Sequence, residues 1–112
     1  MRIIIVGASG TMGKHLASAF KKEHEVITAA TQGCDIQVDI TSTDSIENMY
    51  KQVGAFDALV STAGPTFVGP WKKLTDKEFR KGVEGKMMGQ INPVLIRQHY
   101  INPKGSFTLI TG

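Results

Sequence analysis

Cysteine is nearly absent from this 112-residue chain, where Cys34 stands alone. No disulfide can form within it, and such usage agrees with a reducing compartment. With no helix start or basic cluster beside it, Cys34 reads as an inert thiol. Aromatic residues are scarce, at 7%, and the thirteen Lys and Arg form no stripe, which weighs against a nucleic-acid surface. No apolar run approaches the roughly 20 residues of a membrane helix. Ile3–Val6 runs into glycines with no cleavage-like region, so it does not read as a secretory signal, and a cytoplasmic location is expected. His15, His24 and His99 lack ligand spacing, and no Cys/His or carboxylate cluster points to a metal.

What is present is ordinary for one globular domain: 41% hydrophobic residues, 21% charged, and a net charge of +3 that suits a small anionic ligand as well as none. Arg2–Val6 is a short β-branched run, the pattern of a strand buried on both faces. Thr11 to about Glu23 reads as a helix, with Met12, Leu16, Ala19 and Phe20 at helical spacing. Glu25–Ala29 and Ile36–Ile40 read as the second and third strands. "TSTDSIENMYKQVG" is a helix with Ser or Thr as N-cap and Gly54 past its end. Ala58–Ser61 is a fourth strand. Thr75 with Glu78 makes a capping box that opens a long helix toward Tyr100, kinked by Pro93 and closed by Asn102–Pro103. Ser106–Thr111 is a fifth strand. Strands alternating with helices imply an α/β fold around a parallel sheet. One junction is tight: "ATQGCD" is shorter than the dozen or so residues of a usual parallel crossover, so it is a loop without a helix or the strand ends lie elsewhere.

Gly7, Gly10 and Gly13 form G-x-x-G-x-x-G at a strand-to-helix junction. The first permits a sharp turn, the second lets backbone approach a ligand, and the third lets helix and strand pack closely. The new helix aims free N–H groups and the positive end of its dipole at the same place, where a diphosphate fits. Ser9 and Thr11 either add hydroxyl contacts or cap the helix.

In order along the chain, "VGASGTMG", "VDI", "VSTAG" and "GSFTLITG" resemble the first half of a short-chain dehydrogenase/reductase. The even glycine spacing is similar to the extended and atypical branches, the later landmarks to the commonest one. The resemblance implies a Rossmann-like, doubly wound, three-layer α/β fold with strand order 3-2-1-4-5, binding NAD or NADP. Gly7 to Gly13, with Ser9, Gly10, Thr11 and Met12 between, would hold the cofactor diphosphate. Asp39 would accept from the adenine amino group, with Ile40 offering backbone to the ring. Ser61, Thr62, Ala63 and Gly64 would lie beside the adenosine ribose. Asp39 as a helix cap, and Ala63–Gly64 as a plain strand end, are the structural alternatives. At the end of the second strand Ala30, Thr31 and Gln32 are neutral, and Lys14 is near in sequence. Nothing there repels a 2′-phosphate, so NADP is expected over NAD.

A family enzyme would use a Ser, a Tyr and a Lys four residues later, with an Asn on the long helix. The Asn position falls on Lys86, either a functional lysine or a solvated one. The family's Ser would fall just past "LITG", and its Tyr and Lys farther on. Tyr100 and Lys104 in "YINPK" imitate the pair but precede the fifth strand, and Pro103 breaks the helix that would align them. "PTFVGPW", with Trp71, would lie near the active-site mouth. The parent activity implied is NADP(H)-linked oxidation or reduction of a small carbonyl/alcohol pair. The 112 residues are expected to be the cofactor-binding part of a longer domain, to bind without turnover, and to associate as a homo-oligomer through the sheet edge at "SFTLIT". A non-catalytic NAD(P)-sensing module that controls a partner protein is the alternative.

Overall fold

Ile3, Ile4, Ile5 and Val6 have no polar flank to offer water, and the fold surrounds them. In the computed structural model, which describes residues 1–63, 72, 74–96 and 100–110, Arg2–Val6 (β1) is the central strand of a five-stranded sheet. Glu25–Ala30 (β2) pairs with one side of β1 and Phe56–Ser61 (β4) with the other. Ile36–Gln37 (β3) lies beyond β2, and Ile101–Thr108 (β5) beyond β4. Every pairing is parallel and the order is 3-2-1-4-5, the Rossmann-like arrangement the resemblance implies.

The two-residue alternation of β1 divides the core between two faces. Ile4 and Val6 join Ile46, Met49 and Tyr50 of the helix Thr43–Val53 (α2), while Ile3 and Ile5 join Ala17 of the helix Thr11–Phe20 (α1). The buried stripe of α1 is Gly13 and Ala17, flanked by half-buried Leu16 and Phe20; Met12 and Ala19 face water. That helix stops at Phe20, three residues short of the expected end. Ser42 caps α2 by accepting from Ser45 N at 3.2 Å, and Gly54 ends it at φ +75°.

The short link between β2 and β3 resolves in both expected ways. It holds no helix, and β3 keeps only two residues in the sheet, entering opposite Ala29 near the end of β2. The chain therefore has almost no distance to travel back, which is what a long crossover normally supplies. Paired bonds staple the loop: Thr28 N donates to Asp35 Oδ2 (3.1 Å) and Asp35 N to Thr28 Oγ1 (3.0 Å).

The long helix arrives in three pieces. Asp76–Gly82 (α3) starts with the expected capping box, Glu78 N on Thr75 Oγ1 (3.2 Å) and Thr75 N on Glu78 Oε2 (3.1 Å). A π-helical turn follows at Val83–Met88, then Gly89–Leu95 (α4), which contains Pro93. The Pro93 carbonyl accepts from the buried Tyr50 hydroxyl at 2.7 Å, tying α4 to α2. β5 begins at Ile101 rather than Ser106, because Tyr100 stacks on Tyr50 (5.5 Å) and Asn102 Nδ2 donates to Asp57 Oδ1 (2.9 Å). Pro103 is accommodated because β5 bulges: Phe56 pairs with Ile101 but Ala58 with Ser106, and Lys104 turns to φ 63°. The "PTFVGPW" stretch, His99, Gly64 and the final Thr111–Gly112 lie outside the described residues.

Candidate functional site

All five strands aim their carboxyl ends the same way, and a groove of about 330 Å³ opens there. Val6, Gly7, Ser9 and Gly10 form its floor where β1 turns into α1. Ala30, Thr31 and Val38–Thr41 form one wall, and Thr62 and Ala63 the other.

The three glycines meet different neighbours. Gly7 sits at φ +84°, and a Cβ there would stand 2.8 Å from Ala63 N and 2.9 Å from Thr62 Oγ1. That site is closed by conformation and by space. A Cβ on Gly13 would overlap Gly7 O and stand 2.7 Å from Ala8 Cα, so this glycine lets α1 lie against the β1 turn. Gly10 is unlike both. Among the described residues a Cβ there would meet only Gly7 O, at an ordinary 3.5 Å. Nothing among the described residues requires a glycine at this position, yet it paves the groove. No side chain caps α1, whose N-cap is Gly10, so neither Ser9 nor Thr11 fills the capping role.

Asp39 does not cap a helix either, since Ser42 does. It holds the turn before α2: its Oδ1 accepts from Thr41 Oγ1 (2.6 Å) and Thr41 N (3.0 Å), and its own N–H donates to Ser45 Oγ (2.8 Å). The Thr41 hydroxyl, then its N–H, hold the carboxyl below the usual carboxylate range. An exposed anion, fixed in direction, therefore stands on the groove wall.

Of the residues singled out in the sequence, the groove brings together Gly7, Ser9, Gly10, Thr31, Asp39, Ile40, Thr62 and Ala63. Thr11 and Met12 lie exposed on the first turn of α1, and Gly13 is buried beneath it. Ser61 is 1% exposed, and its hydroxyl meets no partner among the described residues. Thr62, its neighbour, is the one that faces the turn, with Oγ1 3.2 Å from the carbonyls of Val6 and Gly7. Gly64 falls outside the described residues. Lys86 sits half-buried in the π turn and is not part of the groove lining. Beside the groove, and sharing Ser9 with it, a wider hollow is lined by Lys14, Lys21, Gln32, Cys34 and Asp35, among others.

Two contributors were missed. Thr41 was readable, because an Asp followed two residues on by Thr is a local turn pattern. Gln90 was not. Only 4% exposed, it lies on α4 with its amide between two strand ends: Nε2 donates to Ala63 O (3.2 Å) and Ile110 O (2.6 Å), and Oε1 accepts from Ile110 N (2.7 Å). A lone Gln in a helix gives no sequence sign of such a post.

Residues 3–87 match the model of the NAD dependent epimerase/dehydratase family. No curated protein sequence matches the chain. Among solved structures, the protein lin1944 from Listeria innocua is 46% identical over the whole chain, with a TM-score of 0.96, and the chain covers 56% of it. A small-chain dehydrogenase in complex with NADPH is 24% identical over the whole chain at TM-score 0.88, with 51% of its own length covered. The aldohexose dehydrogenase of Thermoplasma acidophilum is 22% identical over 99% of the chain, at TM-score 0.87 and 49% of its length. These last two show the shared fold. The chain spans roughly half the length of the structures it resembles.

Proposed function

The chain belongs to the NAD dependent epimerase/dehydratase family and has the NAD(P)-binding fold of short-chain dehydrogenases, and from that premise we propose that its groove binds a nicotinamide dinucleotide. The observation that carries the reading is Gly10, an uncrowded glycine on the groove floor at the start of an uncapped helix. The Gly10 N–H is itself taken by Gly7 O (3.1 Å), so the bare Cα of Gly10 gives a diphosphate close approach while the first-turn N–H groups of α1 supply the donors. Asp39 then accepts from the adenine amino group through Oδ2, since its recorded bonds use Oδ1. Ile40 packs by the ring, and Thr31, Thr62 and Ala63 flank the sugar and diphosphate. Such a fit keeps one half of the dinucleotide on the β2–β3 side and sends the other past Ala63 toward β5.

NADPH is the preferred form in this proposal. No acidic side chain stands at Thr31 or Gln32 to repel a 2′-phosphate, and Lys14 lines the hollow that Gln32 shares. Asp35 lines it too, with Oδ2 already accepting from Thr28 N. A bound nicotinamide supplies hydride chemistry, so the parent activity is oxidation or reduction of a small carbonyl or alcohol substrate. The chain contributes the nucleotide-binding part of a longer domain. It also forms a homo-oligomer: Phe79, Met87, Ile91 and Leu95 lie exposed along α3, the π turn and α4, an apolar stripe that another copy would cover.

Titration of the purified chain with NADPH and NADH tests the reading. Micromolar binding with NADPH the tighter is expected. A folded chain that binds neither would sink it. Binding with NADH the tighter would overturn the cofactor preference and leave the groove assignment standing.

A further inference from the structure

We infer that Gln90 is a positioning residue, holding the end of the dinucleotide site that the reacting half of the cofactor occupies; this rests on the dinucleotide reading above. The backbone pairing of β4 with β5 ends at Val60 and Thr108. Beyond that rung the two strands run on to Ala63 and Ile110, and among the described residues no backbone hydrogen bond joins them. The Gln90 amide fills the gap. Both its N–H groups are spent on the carbonyls of Ala63 and Ile110, and its carbonyl takes the N–H of Ile110. One N–H and two carbonyls around one amide admit a single orientation of that side chain, so the separation of the two strand ends is set by one rigid group. Gln90 is almost fully buried, and a buried amide that lost any of these partners would carry an unmade hydrogen bond.

What the separation controls follows from the groove. Ala63 lines it, and its N–H packs on the Gly7 turn. A dinucleotide whose adenine end lies by Asp39 and whose diphosphate lies on Gly7–Gly10 must carry its other half across Ala63, over the space between the ends of β4 and β5. Among the described residues the hydrogen bonds of the Gln90 amide go to Ala63 and Ile110, and to no residue of β2, β3 or the Asp39 turn. Ala63 is the one clamped end that the adenine half also meets, so the effect should fall chiefly on the nicotinamide half.

The test compares NADPH with ADP, which lacks the nicotinamide half, on the wild-type chain, on Gln90→Leu and on Gln90→Glu. Gln90→Leu is expected to weaken NADPH by about tenfold or more while ADP changes less than about twofold. Retained ADP binding also reports that the adenine half is folded. Gln90→Glu covers the case in which the apolar variant does not fold. Its carboxylate accepts from Ile110 N but donates to neither carbonyl; its protonated form still accepts and has one O–H to donate to one of the two carbonyls. NADPH affinity of that variant should rise as pH falls, with ADP affinity and wild-type behaviour giving the reference. Equal losses for the two ligands in Gln90→Leu, no loss at all, or a Gln90→Glu variant whose NADPH affinity tracks ADP at every pH would each overturn the inference. A wild-type chain that binds neither ligand would remove the dinucleotide reading with it, whereas binding of both with indifferent variants removes the role of Gln90 alone.

Discussion

Three glycines of one motif make three different predictions at the scale of single residues. Gly13→Ala drives a methyl group into Gly7 O and Ala8 Cα, and overpacking of this kind costs about 1–3 kcal/mol in urea denaturation. Gly10→Ala meets no such neighbour, so stability should stay within about 1 kcal/mol of wild type, the range of an N-cap change. Its NADPH affinity should nevertheless fall about tenfold or more in a fluorescence titration, since the methyl group occupies the ligand's approach. Loss of stability without loss of binding at Gly10 would reverse the assignment. Asp57 supports a second residue-scale prediction. Arg2 N donates to its Oδ2 (2.7 Å) and Asn102 Nδ2 to its Oδ1, and these bonds lower its pKa from 3.8. A carboxylate depressed in the folded state stabilises fully above its ordinary value and loses that contribution as pH falls through the lowered one. Asp39 acts in the same direction. The urea midpoint should thus drop between about pH 5 and about pH 2, and Asp57→Asn should flatten part of that drop.

Elements were legible in the sequence where periodicity and punctuation agree. β1, α2 and the capping box of α3 fall where the pattern puts them, because a β-branched run, Ser42 with Gly54, and Thr75 with Glu78 each dictate local structure through their own atoms. The glycine turn was legible in the same way, whereas Asp39, Ile40, Thr62 and Ala63 came only from the family resemblance; the strand order brings them to one groove. The rest depends on distant partners. The start of β5 is set by Tyr50 and Asp57, some fifty residues earlier, which no local window contains. The π turn shifts the register of everything after Val83, and no local pattern in the sequence announces it. Tyr50 measures how much such long-range ties matter. Its hydroxyl is the recorded link from α2 to Pro93 O, and burial pushes its pKa up. Tyr50→Phe keeps the stack with Phe56 (5.3 Å) but orphans the carbonyl, and should cost about 1–3 kcal/mol by thermal or urea unfolding.

For the whole molecule, the apolar stripe on α3 and α4 predicts association. Leu95 is 59% exposed and Phe79 60%, and paired substitution of both by Glu should move the sedimenting species to the monomer without lowering the unfolding free energy by more than about 0.5 kcal/mol, as expected of surface changes. A wild-type chain that sediments as a monomer would refute the proposed oligomer. No helix among the described residues is long and apolar enough to cross a membrane. The central place of β1 has a consequence during synthesis. The ribosome delivers the middle of the sheet first, and the bond from Arg2 to Asp57 closes over 55 residues. At 5–20 residues per second, Ile3 to Val6 therefore wait about 3 to 11 seconds between emergence and the arrival of β4. For that interval the most apolar segment of the chain has β2, α1 and α2 to pack on but an open edge where β4 belongs, and the nascent protein depends on chaperone cover over β1 rather than at its growing end.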